Sequence, residues 1–437
     1  MSARRTVNRI LRKTLFGSVF LRDAINECVM KDASPEDRAF VERLSKGVVE
    51  RKVTLDAILR KVSGIPVNKI EPAVYCLLLA GIYEVLFMNT ADYAAVNETV
   101  GLTGRPKGDR TRSFVNAVLR CVAREKDSIS DGLSEWEKLG LTPFLYDRLT
   151  AWYGPEETKR IAEWFLSRES DSLYVRRIVS KLSDEAFRER LKEEGVEAVP
   201  TGVSEDTYEL RSDRSVFQTE SFRSGLFYVQ DLSSALAGDA VMDLLAPGTR
   251  NFAVFDACAS PGGKILHLAD AARKNSENRS CSGSFSFLAA DVSEKKIEAI
   301  RSNQALLGFP EIETAVRDAS VFDASFSERF DLVLLDAPCS GIGVIKRKPD
   351  IALRLDEKRI SELVSLQRTM LSVNASYVKP GGTLFYSTCT IDPEENELAV
   401  ASFLQKDRRF TLLSERLFLP GKEGTDGFYY ARMVREP

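Results

Sequence analysis

From about residue 223 onward, short apolar runs alternate with helix-length segments. The runs at 252–257, 285–290, 312–316, 330–335, 382–387 and 428–433 are each too short to be a helix. They are almost continuously apolar, as strands buried on both faces are. Strands that alternate with helical segments predict a doubly wound α/β sheet. Ligands of such sheets collect just beyond the carboxyl ends of the strands. In this chain those ends carry Asp256, Asp291, Asp318, Asp336, the pair Pro338-Cys339 and the pair Thr388-Cys389.

The first run enters the turn Ala257-Cys258-Ala259-Ser260-Pro261-Gly262-Gly263-Lys264, and a helix is predicted from Ile265. Strand, glycine turn and helix form the opening unit of a nucleotide-binding fold, with Gly262 and Gly263 allowing close backbone approach. It is not a phosphate-binding P-loop. No glycine stands five residues before Gly263-Lys264, and Ile265 occupies the Ser/Thr place. G-x-G-x-x-G is absent too, and an ordinary tight turn is the competing reading. Each acid alone suits a solvated turn. Four at successive strand ends make an acidic edge, which disfavours phosphates and favours a cationic, ribose-bearing cofactor. S-adenosylmethionine fits, because its sulfonium, amine and ribose all suit carboxylates.

Two thiols at two strand ends suit an attack of sulfur on carbon. The C5 of cytosine is a poor nucleophile. A thiolate added to C6 makes C5 enamine-like and able to accept a methyl group. Only about 3% of an ordinary thiol is ionised at pH 7, so a cation or a helix N-terminus must assist. Asp392-Pro393-Glu394-Glu395-Asn396-Glu397 predicts a helix directly after Cys389, whose dipole would serve. Asp336 could hold the base by its N3/N4 edge. A second thiol or a water could remove the C5 proton. A lone strand-end cysteine more often simply packs, and Cys28, Cys76, Cys121 and Cys281 are assigned to packing. With one histidine, His267, and no C-x-x-C pair, no metal site is expected and His267 is read as structural. Lys346-Arg347-Lys348, close after Cys339, is expected to contact phosphate.

The 437 residues exceed one core, so two or three domains are expected. Residues 1–130 read as all-helical, with Val74–Phe87 apolar almost all round as a central helix would be. Residues 131–222 read as a small α+β region. It has a helix over Pro143–Phe165, a strand at 172–178, a helix capped by Ser183 and a strand at 195–199, forming a β-α-β unit. A polar loop is predicted at 275–284. No run of eighteen apolar residues exists, so no membrane span is expected. Met1–Arg5 carries no signal core, and seven scattered cysteines fit a reducing compartment, so a cytoplasmic location is expected. The net charge of −3 does not predict nucleic-acid binding, although local patches could supply it.

The segments Asp256–Lys264, Leu335-Asp336-Ala337-Pro338-Cys339-Ser340-Gly341 and Tyr386-Ser387-Thr388-Cys389-Thr390-Ile391-Asp392-Pro393-Glu394-Glu395-Asn396-Glu397 together resemble the RNA cytosine-5 methyltransferases. The resemblance implies a Rossmann-like domain over 223–437 that uses S-adenosyl-L-methionine. It implies that Cys389 is the nucleophile and that Cys339 assists product release. It also implies cofactor binding by Cys258, Ala259, Ser260, Pro261, Gly262, Gly263, Lys264, Asp291, Asp318 and Asp336. The N-terminal segment, with Ala95-Val96-Asn97-Glu98 and Phe114–Arg120, resembles the NusB antitermination domain. That fusion is characteristic of the Fmu/Sun (RsmB) branch, which methylates a cytosine of bacterial 16S ribosomal RNA. Gly225–Ser234 and Asp426–Arg432 also resemble it. Ser260 and Ile265 depart from the family's usual Ala and Thr, Ala352-Leu353 from Lys-Trp, and the 275–284 loop looks inserted.

The expected partner is therefore 16S rRNA, free or within a small-subunit precursor, bound by a monomer with no membrane or metal. Arg5, Arg9, Arg12, Lys13, Arg105, Lys107, Arg110 and Arg112 would grip its backbone. A tRNA target and a non-catalytic RNA-binding factor are the alternatives. The intact Cys339, Cys389 and Asp336 argue against the latter.

Overall fold

The structure is a computed structural model and describes residues 2–29, 33–103, 108–167, 172–245, 251–277, 284–422 and 424–437. Arg105, Lys107, Cys281 and most of the predicted polar loop lie outside the described residues. Contacts divide the chain into two units, Met1–Ser167 with Ile345–Asp356, and Arg168–Val344 with Glu357–Pro437.

The first unit is helical: α1 (Ala3–Phe16), α2 (Leu21–Cys28), α3 (Pro35–Glu50), α4 (Lys52–Ser63), α5 (Pro72–Phe87), α6 (Asp92–Gly101), α7 (Gly108–Arg124), α8 (Glu135–Lys138) and α9 (Pro143–Leu166). Local chemistry sets the helix starts. Ser34 accepts a hydrogen bond from the Asp37 N–H, Pro35 follows it, and Glu36 and Asp37 occupy the first turn of α3. Pro72 opens α5, the predicted central helix, which is buried from Val74 to Val85. A fully buried leucine such as Leu78 contributes about 1.5–3 kcal/mol relative to an exposed one. The one acid in that stretch, Glu84, is paired with Arg4 of α1 at 2.6 Å. The helix α9 is broken where Gly154 takes φ 78° ahead of Pro155.

The 345–356 stretch packs in this unit. Asp350 accepts from the Leu21 N–H at 3.0 Å, and Arg354 donates to the Val19 carbonyl at 2.7 Å. Lys346 is buried, 3.7 Å above the Trp164 ring, and donates to Ser167 at 2.8 Å. The phosphate contact expected of Lys346 is thus corrected, because a buried ammonium spent on a ring and a hydroxyl is not offered to RNA.

The second unit opens with β1 (Leu173–Arg177), α10 (Asp184–Glu193), β2 (Glu197–Pro200), β3 (Thr207–Arg211), α11 (Glu220–Arg223) and β4 (Phe227–Val229). Ser183 caps α10 as predicted, accepting from the Ala186 N–H. The predicted β-α-β pairing does not form. The sheet is antiparallel in the order β2-β3-β1-β4, with β3 between the two strands expected to pair.

Then come α12 (Leu232–Asp239), β5 (Phe252–Asp256), α13 (Gly263–Glu277), β6 (Phe285–Asp291), α14 (Glu294–Leu307), β7 (Ile312–Val316), β8 (Phe330–Asp336), α15 (Glu357–Ala375), β9 (Val378–Thr388), α16 (Glu397–Lys406), β10 (Phe410–Phe418) and β11 (Phe428–Arg435). The sheet order is β10-β11-β9-β8-β5-β6-β7. The pairs among β5 to β9 are parallel, and β11 is antiparallel to both its neighbours. All six predicted strands are present, and β10 is an addition. This is the Rossmann-like α/β arrangement expected after a helical N-terminal domain. Among the described residues no helix is long and apolar enough to cross a membrane.

Candidate active site

The chain runs from β5 outward to β6 and β7, then returns to lay β8 on the other side of β5. The topological switch point is therefore between β5 and β8, where a ligand crevice opens beyond the strand ends. The 257–263 turn follows β5, and the Asp336–Cys339 segment follows β8.

Parallel pairing places Asp336 of β8 opposite Ser387 of β9. Residues opposite one another share a face, so the Ser387 hydroxyl donates to Asp336 Oδ1 at 2.8 Å. Lys264, in the first turn of α13, donates from Nζ to Asp336 Oδ2 at 2.7 Å. Its ammonium lies 5.5 Å from the centre of the Phe428 ring. Burial works against the Lys264 charge. The carboxylates of Asp336 and Asp256 and the Cys389 sulfur outweigh it, so Lys264 is held above its ordinary range. Lys264 is thus a cation whose field reaches the Cys389 sulfur.

The two thiols meet with Cys339 Sγ 3.2 Å from Cys389 Sγ. The hydrogen bond with Cys389 and burial both push Cys339 well above the usual thiol range. The two thiols share this hydrogen bond, and either sulfur can be its donor. A helix dipole does not assist, because α16 starts at Glu397 and not at Asp392. The intervening residues instead form a polar clamp. Glu395 Oε2 accepts from the Ser340 N–H and from Gln367 Nε2, each at 2.8 Å, and Gln367 also donates to the Pro338 carbonyl at 2.9 Å. Ser340 and Thr390 share a hydroxyl hydrogen bond of 2.7 Å. The Gly343 N–H donates to the Cys389 carbonyl at 3.1 Å, and a side chain on Gly343 would put its Cβ 2.1 Å from the Gly427 carbonyl oxygen. Only glycine permits that approach.

Gly262 takes φ 107° in the cofactor turn, a conformation that favours glycine. Asp291 accepts from the Ser260 and Val292 N–H groups at 3.1 and 2.7 Å, binding the end of β6 to the turn. The Cys258 N–H donates to Asp256, and burial raises the Cys258 thiol far above its ordinary value. Asp318 follows the end of β7, where the Arg317 N–H donates to the Asp291 carbonyl at 2.9 Å. It is exposed and accepts from the N–H and hydroxyl of Ser320. His267 is fully buried, and burial holds its imidazole neutral. Five contributors carried no assigned role in the sequence: Ser387, Gln367, Glu395, and Tyr228 and Gln230, which both donate to the Gly263 carbonyl. The pairing of Ser387 with Asp336 was available from strand alternation. Nothing local marks Gln367, which reaches the site from the middle of α15.

Asp256 is buried at the end of β5. Burial lifts its carboxyl, Lys264 pulls it down, Asp336 lifts it again, and the outcome is about 7 against 3.8 unperturbed. The native state therefore keeps a proton that the unfolded chain releases near pH 4. Stability from this group is complete below about pH 4 and is lost as pH rises through about 7. Asp256→Asn is expected to flatten the pH dependence of the unfolding free energy from urea titrations between about pH 4 and 7, by a few kcal/mol at most at about 1.4 kcal/mol per unit. An unchanged pH dependence would contradict the assignment.

The carboxylates of Asp256, Asp291 and Asp336 at these strand ends favour a cation over a phosphate. Val292, exposed directly after Asp291, adds apolar surface there. These residues fit S-adenosyl-L-methionine, which is the cofactor of this site. A family model described as 16S rRNA methyltransferase RsmB/F matches residues 242–434, and the NusB family model matches residues 1–124. Ribosomal RNA small subunit methyltransferase B of Vibrio cholerae is 31% identical over 411 residues, 92% of this chain and 90% of that protein. A solved structure named PH0851 superposes with a TM-score of 0.79 at 22% identity, over 100% of this chain and 99% of that one, which shows the fold. A methyltransferase homolog protein from Pyrococcus horikoshii is 26% identical with a TM-score of 0.58, over 69% of this chain and 100% of its own. With its glycine turn, its paired thiols and a helical NusB segment ahead of the sheet, the chain belongs to the RsmB/F family of 16S rRNA methyltransferases.

Proposed function

We propose that this protein methylates C5 of a cytosine in 16S rRNA through a transient bond between Cys389 Sγ and C6 of the base. The observation that carries this reading is the 3.2 Å approach of Cys339 Sγ to Cys389 Sγ, beside an ion pair between buried Lys264 and half-buried Asp336. S-adenosyl-L-methionine supplies an electrophilic methyl group on its sulfonium. Lys264 stabilises the Cys389 thiolate. Asp336, fixed by Lys264 and Ser387, holds the N3/N4 edge of the base. Addition of Cys389 to C6 pushes electrons to C5, where the new carbon–carbon bond forms. Once Cys389 is committed to carbon, the Cys339 sulfur loses its hydrogen-bond partner and becomes free to assist release. A water or the second thiol, Cys339, takes the C5 proton as the C6–S bond breaks, and the bonding pair returns to sulfur as the Cys389 thiolate. The target cytosine must be unpaired or flipped to reach the thiols. Arg5, Arg12, Arg110 and Arg112 are exposed and serve as backbone contacts. Arg9 and Lys13 are partly spent, on the Cys28 carbonyl and on Glu27. The protein acts as a cytoplasmic monomer on rRNA, free or within a small-subunit precursor.

Bisulfite sequencing of ribosomal and transfer RNA from a strain lacking the protein tests this. One 16S cytosine is expected to lose its protection and to regain it on complementation. Unchanged 16S protection with a lost tRNA mark would replace the target, and no lost mark anywhere would remove the activity.

A further inference from the structure

One face of α15, with Glu394 and the last residue of α16, lines an open groove of about 620 Å³ that takes no part in the thiol chemistry. One wall is a row of hydroxyls on α15, Ser361, Ser365, Thr369 and Ser372, at helical spacing. At a rise of about 1.5 Å per residue, this row is about 16 Å long. Arg368 stands in the row and Lys406, the last residue of α16, faces it across the groove. Both are exposed, and neither has an ion-pair partner among the described residues. The Thr369 hydroxyl donates to the Ser365 carbonyl at 3.1 Å, and the hydroxyls of Ser361, Ser365 and Ser372 beside two unpaired cations suit a chain of phosphate oxygens. A carboxylate, Glu394, also lines the groove. Its neighbour Glu395 and the neighbour of Arg368, Gln367, are the two side chains that clamp the Pro338–Ser340 turn. The groove therefore begins one residue from the catalytic clamp on each of its two walls.

We propose that this groove carries the sugar–phosphate backbone of the substrate RNA flanking the target base. The inference rests on the reading of the substrate as RNA and adds where the strand lies. Arg368 and Lys406 hold phosphates, and the hydroxyl row hydrogen-bonds to phosphate or ribose oxygens. Each phosphate contact released adds about 0.7 to the slope of log affinity against log salt for a single strand, and about 0.9 for a duplex.

The test is the double variant Arg368→Glu/Lys406→Glu of the full chain, with a 16S rRNA transcript as probe. The KM for RNA is expected to rise about tenfold or more, and the salt slope to fall by about 1.4 to 1.8. The kcat at saturating RNA and the affinity for S-adenosyl-L-methionine are expected to stay unchanged. Arg368→Lys/Lys406→Arg is expected to restore the KM. An unchanged KM and salt slope would overturn the inference while leaving the methyltransferase reading intact. Were wild-type protein to methylate no transcript, that reading would fail by itself, and filter binding of the same transcript would still report on the groove. Normal RNA binding by the variant together with lost retention of polyglutamate would assign the groove to an acidic protein segment and overturn the inference.

Discussion

Replacing Cys389 by alanine is expected to reduce methyl transfer by about 10⁴- to 10⁶-fold, the range seen when a covalent nucleophile is removed. The expected loss follows from the chemistry of the acceptor. C5 of cytosine has no lone pair to offer, and only addition at C6 makes it nucleophilic. Among the described residues, Cys389 is the thiol that is hydrogen-bonded to the Cys339 sulfur and lies in the field of Lys264. Binding of S-adenosyl-L-methionine should be unchanged, because the 257–263 turn lies at the end of β5 and Cys389 at the end of β9. The measurement is tritium transfer to a 16S rRNA transcript, with cofactor affinity determined separately. Transfer at the wild-type rate would eliminate the covalent route.

Cys339→Ala is expected to trap the protein on its RNA. Addition at C6 needs only Cys389, Lys264 and Asp336, all retained in the variant. Release needs the neighbouring sulfur, which is removed. A denaturing gel should show a species containing protein and RNA in nearly stoichiometric amount, with turnover down about 10²- to 10⁴-fold, the usual range for a lost acid–base group. The double variant Cys339→Ala/Cys389→Ala should show no such species. An adduct formed by Cys389→Ala and missing from Cys339→Ala would exchange the two roles. The same pair separates an enzyme from a non-catalytic RNA-binding factor, since a passive binder forms no covalent species with either thiol.

Much of the fold can be read from the chain because its elements are marked locally. The apolar runs of β5, β6, β7, β8, β9 and β11 stand out from their polar surroundings, and Ser34, Pro72 and Ser183 announce helix starts. The strand β10 escapes such reading because it is a sheet edge. Most of its residues, from Thr411 to Arg416, are exposed, and solvent on that side removes the apolar signature. The small antiparallel sheet is misread for a different reason. A strand, a helix and a strand in sequence suggest neighbours, and only the insertion of β3 between β1 and β2 shows that they are not. The helix predicted at Asp392 starts instead at Glu397, because Glu395 and Asn396 are taken up by side-chain bonds to the thiol loops.

By itself the amino-acid sequence determined the residue types at the strand ends: two thiols, a run of acids and a glycine turn. Those are set by composition and spacing, and they suffice to name a chemistry. Only the tertiary structure decided how the groups divide the work. It paired Lys264 with Asp336 across 72 residues and drew the two sulfurs together across 50. It also brought Gln367 from the interior of a helix to the clamp. Charge state and reach depend on burial and on neighbours distant along the chain, and neither exists until the sheet has closed.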